Sequence, residues 1–214
     1  MRSIRGFVVV SVLAGLFAGV VLGTNGVSAQ TNATRYRWDI FQFVDDAPFM
    51  EPFASGEGGV AYAYADDDTY IMLTGSGTFQ TDDPTAVTGG GTWTTFPEHG
   101  LKPTGEGTYT VTELISFVEA PGTIPPVIED TIAERTDARA GLAVMRIAYA
   151  DADGNPAGSG VLTVSSRLAK DSPASMFVGV TVTKDYVAYW DRYEPVRGVN
   201  ANRANFHVIP AATN

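Results

Sequence analysis

The sequence predicts an all-β protein: a single antiparallel β-barrel of about 8–10 strands, with a two-sheet sandwich as the alternative. Three observations carry this. Apolar and polar residues alternate with period two beyond residue 30, and the runs are punctuated by Gly, Pro, Asp and Asn. A glycine–aromatic pattern then recurs at roughly the spacing of a hairpin arm. Finally, 23 glycines with only 18% charged residues exclude a coiled coil or a long helical bundle.

Strands are expected near 35–44, 59–65, 69–80, 90–97, 106–119, 139–150, 159–168, 176–184, 186–193 and 205–209, each rich in Thr, Val, Tyr, Phe or Trp. A short helix is expected only over 127–136, where Ile128 and Ile132 are four apart behind Pro125-Pro126. The segment 120–138 is too long for a simple hairpin, and connections of that length are lids, binding loops or plain surface excursions. No linker-like or low-complexity stretch divides the chain, so 30–214 reads as one all-β domain.

The glycine pattern runs Gly75-Ser76-Gly77-Thr78-Phe79, Gly90-Gly91-Thr92-Trp93 and Gly105-Glu106-Gly107-Thr108-Tyr109, with Gly158-Ser159-Gly160-Val161-Leu162 as a looser copy. Glycine inside a strand lets a sheet coil where a Cβ would clash, and the aromatic two residues later then packs on the concave face. Ordinary turn chemistry before strands accounts for the same glycines. Both readings stay open from sequence.

The first 29 residues read as an address. Arg2 and Arg5 precede an apolar run from Gly6 to Gly23, and Val27-Ser28-Ala29 forms a small-residue cleavage site. The competing reading is an uncleaved anchor, since the run is near bilayer-spanning length. Processing predicts a secreted, periplasmic or cell-surface protein. It also changes the charge from −10 to −12, because 12 basic residues then face 24 acidic ones. That charge argues against nucleic acid and against an anionic membrane surface as partners of the processed chain.

Without cysteine there is no disulfide framework, thiol nucleophile or Cys-based metal site. No cofactor is implied by any motif. The acid clusters Asp45-Asp46, Asp66-Asp67-Asp68, Asp82-Asp83 and Asp151-Ala152-Asp153-Gly154-Asn155 fall between predicted strands, where aspartate serves turns. The last resembles the opening of a calcium loop, but Leu162 stands where an EF-hand needs a bidentate glutamate. His99 and His207 are too far apart for a zinc pair; His99 reads as a loop residue and His207 as a satisfied edge-strand histidine.

The candidate site residues are two charges inside strands and a set of aromatics. Tyr109, Val111, Glu113, Ile115 and Phe117 share a face by alternation, as do Leu142, Val144, Arg146 and Ala148. Glu113 and Arg146 thus interrupt apolar faces and are expected to pair across neighbouring strands. Three roles are open for the pair: a polar anchor on a cavity floor, a general acid–base group, or a structural tie that holds register. Met145, Ile147 and Tyr149 form an equally apolar opposite face on the second strand. Among the aromatics, Trp93, Tyr109 and Trp190 are the candidates to line a ligand pocket, Trp190 with the polar neighbours Asp191 and Arg192.

Gly91-Thr92-Trp93 is similar to the G-x-W of the lipocalins, and Asp185-Tyr186 to their later T-D-Y. The G-x-W falls after three predicted strands instead of on the first, and Lys184 interrupts the second motif, so the likeness extends to architecture alone. The functional expectation is a small apolar or amphipathic ligand held inside the barrel. Two alternatives stand beside it: a cofactor-independent cyclase or isomerase using a cavity carboxylate, and a cell-surface structural or adhesive domain with a filled core.

Overall fold

The computed structural model describes residues 34–43, 53–168, 171–192 and 202–210. The predicted signal segment lies outside these residues. In chain order the strands are β1 (Arg35–Phe43), β2 (Phe53–Glu57), β3 (Ala61–Tyr64), β4 (Tyr70–Leu73), β5 (Ser76–Gln80), β6 (Val87–Phe96) and β7 (Gly105–Ala120). They continue with β8 (Ile128–Asp130), β9 (Ala138–Asp151), β10 (Pro156–Ser166), β11 (Gly179–Lys184), β12 (Val187–Tyr189), β13 (Asp191–Arg192) and β14 (Arg203–Ile209).

The protein is a β-barrel. Its closed ring takes six antiparallel strands, and the remaining strands lie outside that ring. The ring runs β1–β5–β6–β7–β9–β14 and back to β1. Two long strands fork. β6 pairs with β5 over Val87–Gly90 and with β4 over Trp93–Phe96. β9 pairs with β14 at Ala138 and Arg139, then with β10 over 141–150. From these forks β4–β3–β13 and β10–β11–β12 extend the wall on either side.

The ring interior is filled by side chains. Trp38, Phe79 and Phe206 have no exposed surface, and Tyr36, Phe79, Phe117 and Phe206 form a cluster of stacked, tilted and edge-on ring pairs with centroids 4.6–6.2 Å apart. Ile71, Leu73, Met145, Ile147, Leu162, Val164 and Val180 continue the same core beneath the forks. Each such side chain contributes about 1.5–3 kcal/mol by leaving water, which is what a domain without disulfides must rely on.

The residue two places after the second glycine of each copy is buried: Phe79, Trp93, Tyr109 and Leu162. Gly77 and Gly89 face each other across the β5–β6 ladder. A Cβ on Gly77 would fall 2.1 Å from the Thr88 carbonyl oxygen, and one on Gly89 2.1 Å from that of Ser76. The backbones approach too closely there for any side chain.

Three local expectations are corrected. The run 69–80 is two strands, because the chain changes partners at Thr74-Gly75: β4 serves the fork and β5 the ring. The helix expected over 127–136 is strand β8 followed by a single 3₁₀ turn at Arg135–Asp137. Pairing of β8 with β2 in a parallel ladder overrides the local spacing of Ile128 and Ile132. His207 is not on an edge, since β14 is hydrogen-bonded to both β1 and β9.

Candidate functional site

Strands β1 and β14 present two different faces. Tyr36, Trp38 and Ile40 point into the ring with Ala204 and Phe206. The alternate residues Arg37, Asp39, Phe41 and Phe43 point outward, opposite His207, Asn205 and Arg203. An outward polar stripe would ordinarily be wet. Here the connection between β7 and β9 crosses it, and Asp39, Asn205 and His207 are buried.

Within the stripe, Arg37 grips Asp39 through Nε and Nη2 at 2.8–3.0 Å. His207 Nε2 lies 2.7 Å from the Asp130 carboxylate, and both side chains are out of solvent. An ionised carboxylate only accepts, so in this contact the Nε2–H of the imidazole is the donor. Asn205 Oδ1 accepts from the Phe206 N–H at 2.9 Å and lies 3.4 Å from the Ser166 hydroxyl. The stripe is therefore a connected polar layer under a covering segment.

Beside this layer the cover does not close. A cleft of about 520 Å³ opens over the other end of the stripe, with Phe41, Phe43, Arg203 and Asn205 as its floor. One wall is Ile124, Pro125 and Ile128 of the β7–β9 connection. The other is Arg167, Leu168, Ser172, Ala174 and Val178, from the loop after β10. The two walls are tied together: Ser172 Oγ donates to the Pro121 carbonyl at 2.7 Å and accepts from the Leu168 N–H at 3.1 Å. Arg167 Nη1 pins its own loop through the Ala174 carbonyl at 2.9 Å.

Arg203 is the charged group of the floor. Its guanidinium carbon sits 4.4 Å from the centre of the Phe43 ring, and Nε is buried without a hydrogen-bond partner. Burial pulls its pKa down from the ordinary arginine value, with no neighbouring carboxylate to offset it.

The five residues selected from sequence do not gather in this cleft or in any one place. Glu113 and Arg146 do pair, at 2.9 Å and in direct cross-strand register. The expected face is corrected: their side chains are 43% and 57% exposed. The register shifts between Val111 and Glu113 and again between Leu114 and Ser116, so alternation breaks. Leu114 and Met145 take the inward positions, and the charged pair stands outside.

Trp93 and Tyr109 are core residues. Trp93 Nε1 donates to the carbonyls of Thr108 and Ala150 at 3.1 and 3.0 Å, and the Tyr109 hydroxyl donates to that of Thr74 at 2.7 Å. Trp190 is 63% exposed and donates to Asp66 Oδ1 at 3.0 Å. Trp93 also borders a second, more open groove with Lys184, Tyr186 and Tyr189. There Lys184 Nζ lies 4.5 Å over Trp93 and 2.8 Å from Asp185, so that cation already has its partners.

Sequence reasoning passed over Arg203, Asn205 and Asp130, and read His207 only as a satisfied edge-strand residue. The one available signal was the alternation Arg203-Ala204-Asn205-Phe206-His207 on an apolar-inward strand, which by itself reads as an ordinary wet face. The Asp151 loop is the hairpin turn its residues suggest: Asp151 Oδ1 accepts from the N–H groups of Asp153 and Asn155, and Gly154 adopts φ +84°.

No family model matches the chain, and no curated protein or solved structure is significantly similar to it. Fold and cleft together define a class, an all-β barrel with a filled interior and an amphipathic cleft on its outer wall.

Proposed function

We propose that the protein is an exported binding protein for a small amphipathic molecule, held in the outer-wall cleft under the β7–β9 connection. The supporting observation is the lining of the empty space: the groove beside Trp93 is as large, about 540 Å³, but more open, and its lysine already has partners. The six-strand ring is packed with Trp38, Phe79 and Phe206, whereas the cleft offers about 520 Å³ between apolar walls with a few polar groups on its floor. That combination of size and lining is typical of small-molecule sites. On this reading the ligand lies on the outer wall, where the sequence alone led to the expectation of a ligand inside the barrel.

The enzymatic alternative would turn on the His207–Asp130 pair, the one buried histidine–carboxylate contact among the described residues. Neither side chain lines the cleft, and neither is exposed to solvent, so a substrate in the cleft has no route to them. A binding role fits this geometry better. Native mass spectrometry of the full-length protein purified from its own host tests it. The expected result is an adduct of small-molecule mass that is lost in Ala174→Trp, which places an indole in the cleft wall. A bare mass for the parent protein overturns the reading.

A further inference from the structure

The cleft has the wrong charge for this protein. The chain carries 24 acidic residues against 14 basic ones, yet the described lining of the cleft holds two arginines, Arg167 and Arg203, and neither aspartate nor glutamate. Four other cations are matched: Arg37 with Asp39, Arg139 with Glu119, Arg146 with Glu113 and Lys184 with Asp185. Arg35, Lys102 and Arg135, which lack a carboxylate among the described residues, are exposed to water. Arg203 has no carboxylate partner among the described residues, although it is more withdrawn from water than Arg146. Leaving a charged donor buried without an acceptor is costly, and a fold retains such a group most readily when something else supplies the acceptor.

We infer that the ligand is an organic anion: an oxyanion head, of which carboxylate is the simplest, on an apolar body, with Arg203 as the residue that receives the head. The inference rests on the cleft reading and adds the chemical class of the ligand to it. A guanidinium is built for this task, because its planar fork matches two oxygens of a carboxylate. Phe43 lies against the guanidinium and holds it in place. Arg167 stands at the more exposed rim, where a second cation adds attraction without adding register. The apolar body then lies against Phe41, Ile124, Ile128, Leu168 and Val178.

Calorimetric titration of the full-length protein with decanoate and with decanol, which share one apolar body, tests the inference. Decanoate is expected to bind at least about tenfold tighter than decanol, the scale of one charge-assisted contact. Arg203→Met keeps the apolar stem and is expected to abolish that preference while leaving decanol binding within about threefold. Arg203→Lys is expected to retain part of it, since the charge persists without the fork. Arg203→Met removes a charge that has no carboxylate partner among the described residues and keeps the apolar stem, so it should fold at least as stably as the parent. Arg167→Met, at the rim, is the second variant and should weaken decanoate alone.

Equal affinities for decanoate and decanol, with Ala174→Trp still blocking both, overturn the anion inference and leave the cleft reading standing. Failure of both probes to bind, or binding indifferent to Ala174→Trp, overturns the cleft reading and the inference with it.

Discussion

His207 of β14 and Asp130 of β8 meet at 2.7 Å with both side chains withdrawn from solvent, 77 residues apart in sequence. The contact fastens the β7–β9 connection to the outer face of the ring. Without it, the polar stripe of β1 and β14 would lose its cover at that point. A buried pair of this kind adds little net stability when intact, and removing His207 takes one partner from the Asp130 carboxylate while the Ile132 N–H remains. His207→Ala is expected to lower unfolding free energy by about 1–3 kcal/mol, the cost of a lost buried hydrogen bond. Urea denaturation followed by tryptophan fluorescence measures this, and a loss under about 1 kcal/mol would show that the connection is held by other contacts.

Glu113 and Arg146 make an equally short contact, 2.9 Å, with the opposite consequence. Both side chains are about half exposed, so water solvates whichever partner remains. Exposed pairs are worth about 0–1 kcal/mol. Glu113→Gln is therefore expected to shift stability by less than about 1 kcal/mol and to leave decanoate affinity unchanged. A large effect on affinity would bring this pair back as part of the binding site.

These two contacts show what sequence can and cannot reach. The Glu113–Arg146 pairing was legible because it depends on two strands that follow one another and share a register. The face was not: a bulge after Val111 turns Glu113 outward until a second after Leu114 returns Phe117 inward, and on the regularly alternating β9 two equally apolar faces left the side of Arg146 open. Strand existence and inward aromatics were legible from period two and from the glycine pattern. The cleft was not. Its floor is an alternating polar stripe indistinguishable from a solvated face, and only the path of residues 121–137 across it makes it a site. That path depends on β8 pairing in parallel with β2, a long-range choice that local propensity does not encode.

Acid should weaken the fold through its turns. Backbone donation from Asn155, with its side-chain amide next, holds the Asp151 carboxyl below its ordinary value of 3.8. The Thr69 hydroxyl does the same for Asp67, and the Thr85 hydroxyl for Asp83. A carboxylate whose folded pKa is depressed contributes stability above its unfolded pKa, and that stability is lost as pH falls through the folded value. Thermal midpoints are thus expected to be level above about pH 5 and to fall below about pH 4. Asp151→Asn should lower the midpoint at neutral pH and flatten the acid limb, so that variant and parent converge as pH drops. Parallel curves across the whole range would contradict this assignment.

Two glycines separate crowding from turn geometry. Gly89 and Gly154 both adopt left-handed backbone, φ +92° and +84°. Around Gly154 there is open space, whereas a Cβ on Gly89 would fall 2.1 Å from the Ser76 carbonyl oxygen and 2.4 Å from Gly77 Cα. Gly154→Ala should cost only the conformational penalty, about 1–2 kcal/mol. Gly89→Ala must in addition push β5 away from β6 inside the closed ring, where neither strand can yield without opening the ladder. Its cost should exceed that of Gly154→Ala by at least about 1 kcal/mol, the usual minimum for forcing atoms into a packed site. Paired urea titrations give the difference directly. Equal costs would reduce Gly89 to ordinary turn chemistry; a large excess would show that the close approach of β5 and β6 is what requires glycine at 89.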